Sequence, residues 1–227
     1  MPENTPTLKT ERLILRKFSE ADLPALFDLL CDAEVNTFLP WFPMRSLKET
    51  ETFFRERYRS VYTQPRGYQY AVCLKKDDIP IGYIHASIGE GRDFGYALAK
   101  KHWHQGITTE AGQALIGQLR QDGVPYITAT HDKSNPRRGM VMQRLGMRYE
   151  YTYEELWQPK NKRVFFRMYQ LNLDRQKKNV STGAIGTRQP FILWRRSFHI
   201  SCGPFVHDPN VKKGAFHAPF LLSVNAS

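Results

Sequence analysis

Three alternating runs crowd the middle of the chain and dictate that a sheet be built there. "YQYAVCLKK" (Tyr68–Lys76), "IGYIHASI" (Ile81–Ile88) and "DFGYALA" (Asp93–Ala99) are separated by "DDIP" and "GEGR" alone. Apolar–polar alternation bounded by turn residues reads as strand. The first two runs make a hairpin, and the third follows through the glycine-rich turn.

Helices flank this block. "RLILRKF" (Arg12–Phe18) predicts an opening strand. In "SEADLPALFDLLCD", Ser19 is placed to cap a helix whose Leu23, Leu26, Phe27 and Leu30 share one face. "NTFLPWFPM" (Asn36–Met44) is an aromatic loop broken by two prolines. "SLKETETFFRERYRSVY" (Ser46–Tyr62) opens on the Ser46/Glu49 capping-box pattern of a second helix. Beyond the sheet block, a helix is predicted from about Thr108 to Gln121, stopped at Gly123. "PYITATHD" then reads as a buried strand. "SNPRRGMVMQRLG" reads as a short helix capped by Ser134 or Asn135 and closed by Gly146. "MRYEYTYEELW" and "RVFFRMYQLNL" close the pattern as a hairpin around "QPKNKR". The order β-α-α-β-β-β-α-β-α-β-β predicts a mixed sheet in an α+β domain.

That pattern fills residues 1–174. Residues 175–227 carry no sustained period and are expected to be a poorly ordered appendage outside the domain. They hold eight Lys/Arg and one acid (Asp208), so +7 of the formal +11 charge sits there, leaving +4 for the domain (25 basic, 21 acidic). A nucleic-acid-binding fold carries its basic stripe on the folded body, so nucleic acid is not the expected partner. No run of about 18 apolar residues predicts a membrane span, and "MPENTPTLKTERL" lacks the basic start and apolar stretch of a signal peptide. Cys31, Cys73 and Cys202 are odd in number and without metal-like spacing, which predicts reduced, buried thiols in a cytoplasmic protein.

The most informative stretch for chemistry is "KKHWHQGITTEAGQALIGQL" (Lys100–Leu119). Its helix is entered through Gly106 with no acid before Glu110. Glycine lets a ligand approach the backbone, and the free amides of a helix start favour an anion such as phosphate. An incoming phosphate would take the place of the missing acid. The spacing fits neither the P-loop nor the dinucleotide-binding glycine motif.

"FGYALAKKHWHQGITTEAGQALIGQL" resembles the acyl-CoA loop and helix of the GNAT superfamily of N-acetyltransferases, in the branch that includes ribosomal-protein N-terminal acetyltransferases. Gly95, Tyr96, Leu98, Trp103, Gly106, Thr109, Glu110 and Ala111 match that branch's pattern. "TERLILRKFSEADLPALFDLL" resembles its opening strand and helix. In "SNPRRGMVMQRLGMRYE", Asn135, Val141, Leu145 and Gly146 fall at the places of its second signature. The likeness spans roughly residues 7–173. Three departures stand out: His104 replaces an earlier loop glycine, Thr108 replaces the small residue after the aliphatic one, and Arg138 replaces the second signature's serine.

The resemblance implies a mostly antiparallel sheet with helices on both faces. It also implies direct transfer of an acetyl group from acetyl-CoA to a primary amine, without metal. The acceptor is a ribosomal-protein-like N-terminus or a small molecule, and the protein a monomer or homodimer. Acetyl-CoA is then expected to be held by Ala97, Leu98, Ala99, Trp103, His104, Gln105, Gly106, Ile107, Thr108, Thr109, Asn135 and Arg138. Amides at the end of "FGYALA" would hold the thioester carbonyl. Asp93, Tyr96 and Asn135 are the candidate catalytic residues; a carboxylate, with Asp93 the candidate, or a chain of waters would take the amine's proton. Trp41, Phe42 and His85 are candidates for the acceptor side, and Glu110 for helix packing or tying the loop. The competing class is a CoA-binding regulatory module without turnover, to which His104 and Arg138 point.

Overall fold

The computed structural model describes residues 3–89 and 91–174. The segment predicted to be an appendage, 175–227, and Cys202 within it lie outside those residues. In chain order the elements are β1 (Leu8–Lys9), β2 (Leu13–Arg16), α1 (Leu23–Cys31), α2 (Leu47–Phe54), a π-helical Arg55–Arg59, α3 (Ser60–Tyr62), β3 (Tyr68–Leu74), β4 (Pro80–Ala86), β5 (Phe94–Leu98), α4 (Ile107–Gln121), β6 (Tyr126–Asp132), α5 (Pro136–Arg144), β7 (Arg148–Trp157) and β8 (Lys162–Asn172). β1 is too short to show alternation and was not predicted. The opening strand stops at Arg16, whose guanidinium turns to the Asp22 carboxylate at 2.8 and 3.0 Å. Ser46 caps α2 as expected, its hydroxyl accepting from the Glu49 N–H. The predicted second helix spans three segments, because a π turn interrupts it.

β1 to β5 form one antiparallel sheet in chain order, and β6–β8–β7 form a second antiparallel sheet. The two meet at a parallel bridge between Asp93 and Thr128, where the Thr128 N–H donates to the Arg92 carbonyl at 3.0 Å. Past that bridge β5 and β6 part. The mixed, mostly antiparallel sheet is therefore the predicted one, opened along its parallel junction.

Alternation along β3 sends side chains to two cores. Tyr70 and Val72 pack with Leu13, Leu15 and Phe94 against Ala111, Leu115 and Leu119 of α4 and Met142 of α5. Ala71 and Cys73 pack with Tyr83 against Leu26 and Leu30 of α1 and Phe54 of α2. Burying each large apolar side chain stabilises the fold by about 1.5–3 kcal/mol, so helices are held on both faces. Of the two described cysteines, both free, Cys73 is buried as predicted, whereas Cys31, at the end of α1, is partly exposed. No helix among the described residues is long and apolar enough to cross a membrane.

Candidate active site

The site begins where β5 leaves β6. β5 is laddered to β4 through its odd-numbered residues. The Ser87 N–H donates to the Asp93 carbonyl at 2.9 Å and the Ala99 N–H to the Ile81 carbonyl at 2.8 Å, with Gly95 opposite His85 and Ala97 opposite Tyr83. Bonding alternates along an antiparallel strand, so Tyr96 and Leu98 turn their peptide groups into the gap. The Leu98 carbonyl accepts from the Trp103 indole at 2.7 Å. The N–H groups of Tyr96 and Leu98 bond to no described residue. Of the residues predicted at this strand end, Leu98 presents its amide to the gap. The amides of Ala97 and Ala99 face β4 instead, and Tyr96, two residues before Leu98, supplies the second free donor.

The next donors come from the loop into α4. Gly106 is its N-cap with φ of +74° and brings no capping side chain. The first intrahelical bond runs from the Glu110 N–H to the Gly106 carbonyl at 3.0 Å, leaving the N–H groups of Ile107, Thr108 and Thr109 without an acceptor among the described residues. The Ile107 side chain is buried in the core, so its amide is what it offers here. His104 also takes a left-handed φ, +63°, a conformation that costs a residue with a β-carbon about 1–2 kcal/mol. The loop thus keeps the backbone that glycine favours at both positions.

This loop is braced from behind. Arg12 Nη1 donates to the Gln105 carbonyl at 3.0 Å, and the Glu110 carboxylate accepts from the Thr10 hydroxyl, the Arg12 N–H at 3.0 Å and Arg12 Nε at 2.7 Å. Desolvation works to raise the Glu110 pKa, but Thr10 and Arg12 outweigh it and hold the carboxyl below its ordinary range. Glu110 is therefore committed to the loop tie foreseen for it.

α5 lines the same side of the gap. Its N-cap is Asn135, whose Oδ1 accepts from the Arg138 N–H at 3.4 Å. The Tyr96 hydroxyl donates to the Arg138 carbonyl at 3.1 Å, while the Arg138 guanidinium lies over the Tyr96 ring at 4.7 Å. Burial raises the Tyr96 phenol to about 12 against the opposing charge of Arg138, so it stays protonated. Arg138 Nε is buried without a hydrogen-bond partner among the described residues.

On the opposite face of β5 stand Asp93 and His85. The imidazole lies across Gly95, where a β-carbon would come within 2.7 Å of its Nε2. That Nε2 is 3.6 Å from Asp93 Oδ2, and the Asp93 side chain is 58% exposed. Surrounding protein works to raise the Asp93 pKa; His85 first, then Arg138 and Arg57, overcome this and hold it below its ordinary range. Asp93 thus keeps an exposed side chain although other residues crowd around it. Arg57, whose charge reaches Asp93, lies over the rings of Trp41 and Phe53; the Trp41 indole donates to Asn36 Oδ1 at 3.1 Å and meets Phe53 edge-on at 5.2 Å. Phe42 is exposed beside it. The turn between β7 and β8 crosses to this loop, Lys160 Nζ donating to the Asn36 carbonyl at 2.8 Å.

Three residues here escaped sequence reasoning. Arg57 lies in the π turn. Tyr153 is raised by burial and by the Glu155 and Asp93 carboxylates, and Glu155 itself is raised by burial. The alternation in "YTYEELW" puts Tyr153, Glu155 and Trp157 on one side of β7, and a carboxylate between two aromatics was the available signal.

Comparison with known proteins agrees with this fold. The acetyltransferase (GNAT) domain family model matches residues 12–148. The uncharacterized N-acetyltransferase YoaA of Bacillus subtilis is 25% identical over 160 residues, covering 66% of this chain and 89% of that protein. The RimL ribosomal L7/L12 alpha-N-protein acetyltransferase, solved in complex with coenzyme A, superposes with a TM-score of 0.66 at 19% identity, over 74% of this chain and 98% of that one. The spermidine N-acetyltransferase of Vibrio cholerae, solved with CoA and spermine, gives a TM-score of 0.62 at 14% identity, over 72% and 97%. With the family model spanning more than half of its length, the chain belongs to the GNAT family and is an acyl-CoA N-acyltransferase.

Proposed function

We propose that the protein transfers an acetyl group from acetyl-CoA to a primary amine, on a protein N-terminus or a small molecule, by direct attack. One observation carries this reading: acceptor-free amides line one side of β5, and a carboxylate–imidazole pair stands on the other. The amides of Ile107, Thr108 and Thr109, at the positive end of α4 beside Lys100 and Lys101, fit a diphosphate. Each negative charge there gains about 0.3–1 kcal/mol. The amides of Tyr96 and Leu98 fit an extended amide-bearing chain laid along β5 and, at its end, a carbonyl. When bound, acetyl-CoA supplies an activated thioester.

The acceptor nitrogen enters on the face of β5 that carries Asp93 and His85, with Trp41 linked to it through Arg57. It attacks as the neutral amine, and Asp93, already ionised, takes its proton with His85 alongside. An α-amino group, with pKa about 8, gives up that proton far more readily than a lysine at about 10.4. RimL acts on a protein N-terminus and the Vibrio enzyme on spermidine, so both acceptor classes belong in the test.

That test follows thiol release from acetyl-CoA across peptides beginning with Ser, Ala or Thr and a panel of small amines. At least one acceptor should be turned over. Asp93→Asn should lower kcat by about 10²–10⁴-fold while CoA affinity stays within twofold. With Asp93 already charged, activity should rise with pH through the pKa of the amine, showing no dependence on this carboxyl above its ordinary range of about 3.9. Tight acetyl-CoA binding with no release on any acceptor would select the module without turnover.

A further inference from the structure

We propose that Arg138 is the catalytic residue that stabilises the departing sulfur of CoA, standing where the branch's second signature carries serine. The inference rests on the transferase reading above. The side chain belongs to the gap-facing side of α5, its guanidinium held over the Tyr96 ring at 4.7 Å, and Tyr96 and Leu98 present free amides to the same gap. Its Nε is buried with no partner among the described residues. A buried donor left without an acceptor is costly, and more so when charged, so its position is explained by an anionic or strongly accepting ligand that arrives later.

The charge is felt on both faces of β5. It opposes the burial-driven rise of Tyr96 on one face and helps hold Asp93 down on the other. A cation so placed serves the transfer at its most demanding point. As the new N–C bond forms and the C–S bond breaks, the bonding pair leaves on sulfur, while the proton on nitrogen goes to Asp93. The guanidinium meets the charge on sulfur directly. Arginine remains protonated throughout, so it acts as a fixed charge where a serine hydroxyl offers a neutral hydrogen bond.

The experiment measures the thiol pKa of CoA bound to the full-length protein, from the ultraviolet absorption of the thiolate. Free thiol should titrate near about 8.5, by analogy with cysteine. Bound to the wild-type protein it should fall by at least about one unit, a tenfold gain in thiolate, as thiols beside arginine do. In Arg138→Met it should return to the free value, and in Arg138→Lys lie between. A wild-type value equal to that of free CoA overturns the proposal whether or not the variants fold. So does an Arg138→Met protein that weakens CoA and an analogue lacking the sulfur equally, with the thiol pKa unchanged; Arg138 would then be a phosphate contact. Absence of any CoA binding would overturn the transferase reading together with this one, whereas a lowered thiol pKa without acceptor turnover would keep the contact between Arg138 and the sulfur but overturn the transferase reading and, with it, the catalytic role.

Discussion

Glu110 holds the start of α4 to the β1–β2 turn through charge-assisted bonds from Arg12 and Thr10. Arg12 is 45% exposed, so solvent screening takes most of the Coulombic gain. Glu110→Gln should lower stability by about 1 kcal/mol near neutral pH. The folded pKa is depressed from 4.5. The stabilisation is therefore fully present above that value and fades as pH falls through the lower folded one. Denaturant unfolding of wild type and variant, repeated on acidification, should show the two curves converge. At His104 the sign is opposite. Glycine there relieves a left-handed β-carbon, and His104→Gly should raise stability by about 0.5–1 kcal/mol, read by thermal unfolding. His104 was legible because the backbone of the Gly106 loop is set within one stretch of chain; for Glu110 the role was legible, but its partners Thr10 and Arg12, 100 and 98 positions away, were not. Arg138 was legible as a departure from a pattern. Its place over Tyr96 was not, since that contact joins residues 42 positions apart.

β4 and β5 act together through one missing side chain. Gly95 lets the His85 imidazole lie across the strand toward Asp93. Gly95→Ala should cost about 1–3 kcal/mol by overpacking, and His85→Ala in the same protein should recover most of it. A double-mutant cycle by calorimetry checks that coupling. Strands β3 to β5 were readable because period-2 alternation and short turns determine a hairpin locally. The π turn at Arg55–Arg59 was not, because "FFRERYRSVY" keeps a helical pattern and the inserted residue changes only which side chains face inward. Likewise, no local pattern says that Tyr96 and Leu98, and not Ala97 and Ala99, turn their amides into the gap. That parity follows from the register of β5 on β4, a property of the pair.

At the scale of the molecule, two antiparallel sheets joined at one parallel bridge leave a seam through the centre of the fold. On the proposed reading CoA fills that seam. Its binding should slow hydrogen exchange at the Tyr96 and Leu98 amides and stabilise the protein by about 2.7 kcal/mol at a hundredfold excess over Kd. Mass spectrometry of exchanged fragments, with a melting curve, checks both. The same seam carries a kinetic consequence. Peptide donors along a strand recognise the carrier's backbone and are indifferent to its cargo, so the spent carrier should lodge almost as firmly as the loaded one. Product inhibition competitive with acetyl-CoA should follow, and under saturating acceptor the pace of turnover should be set by escape of that product.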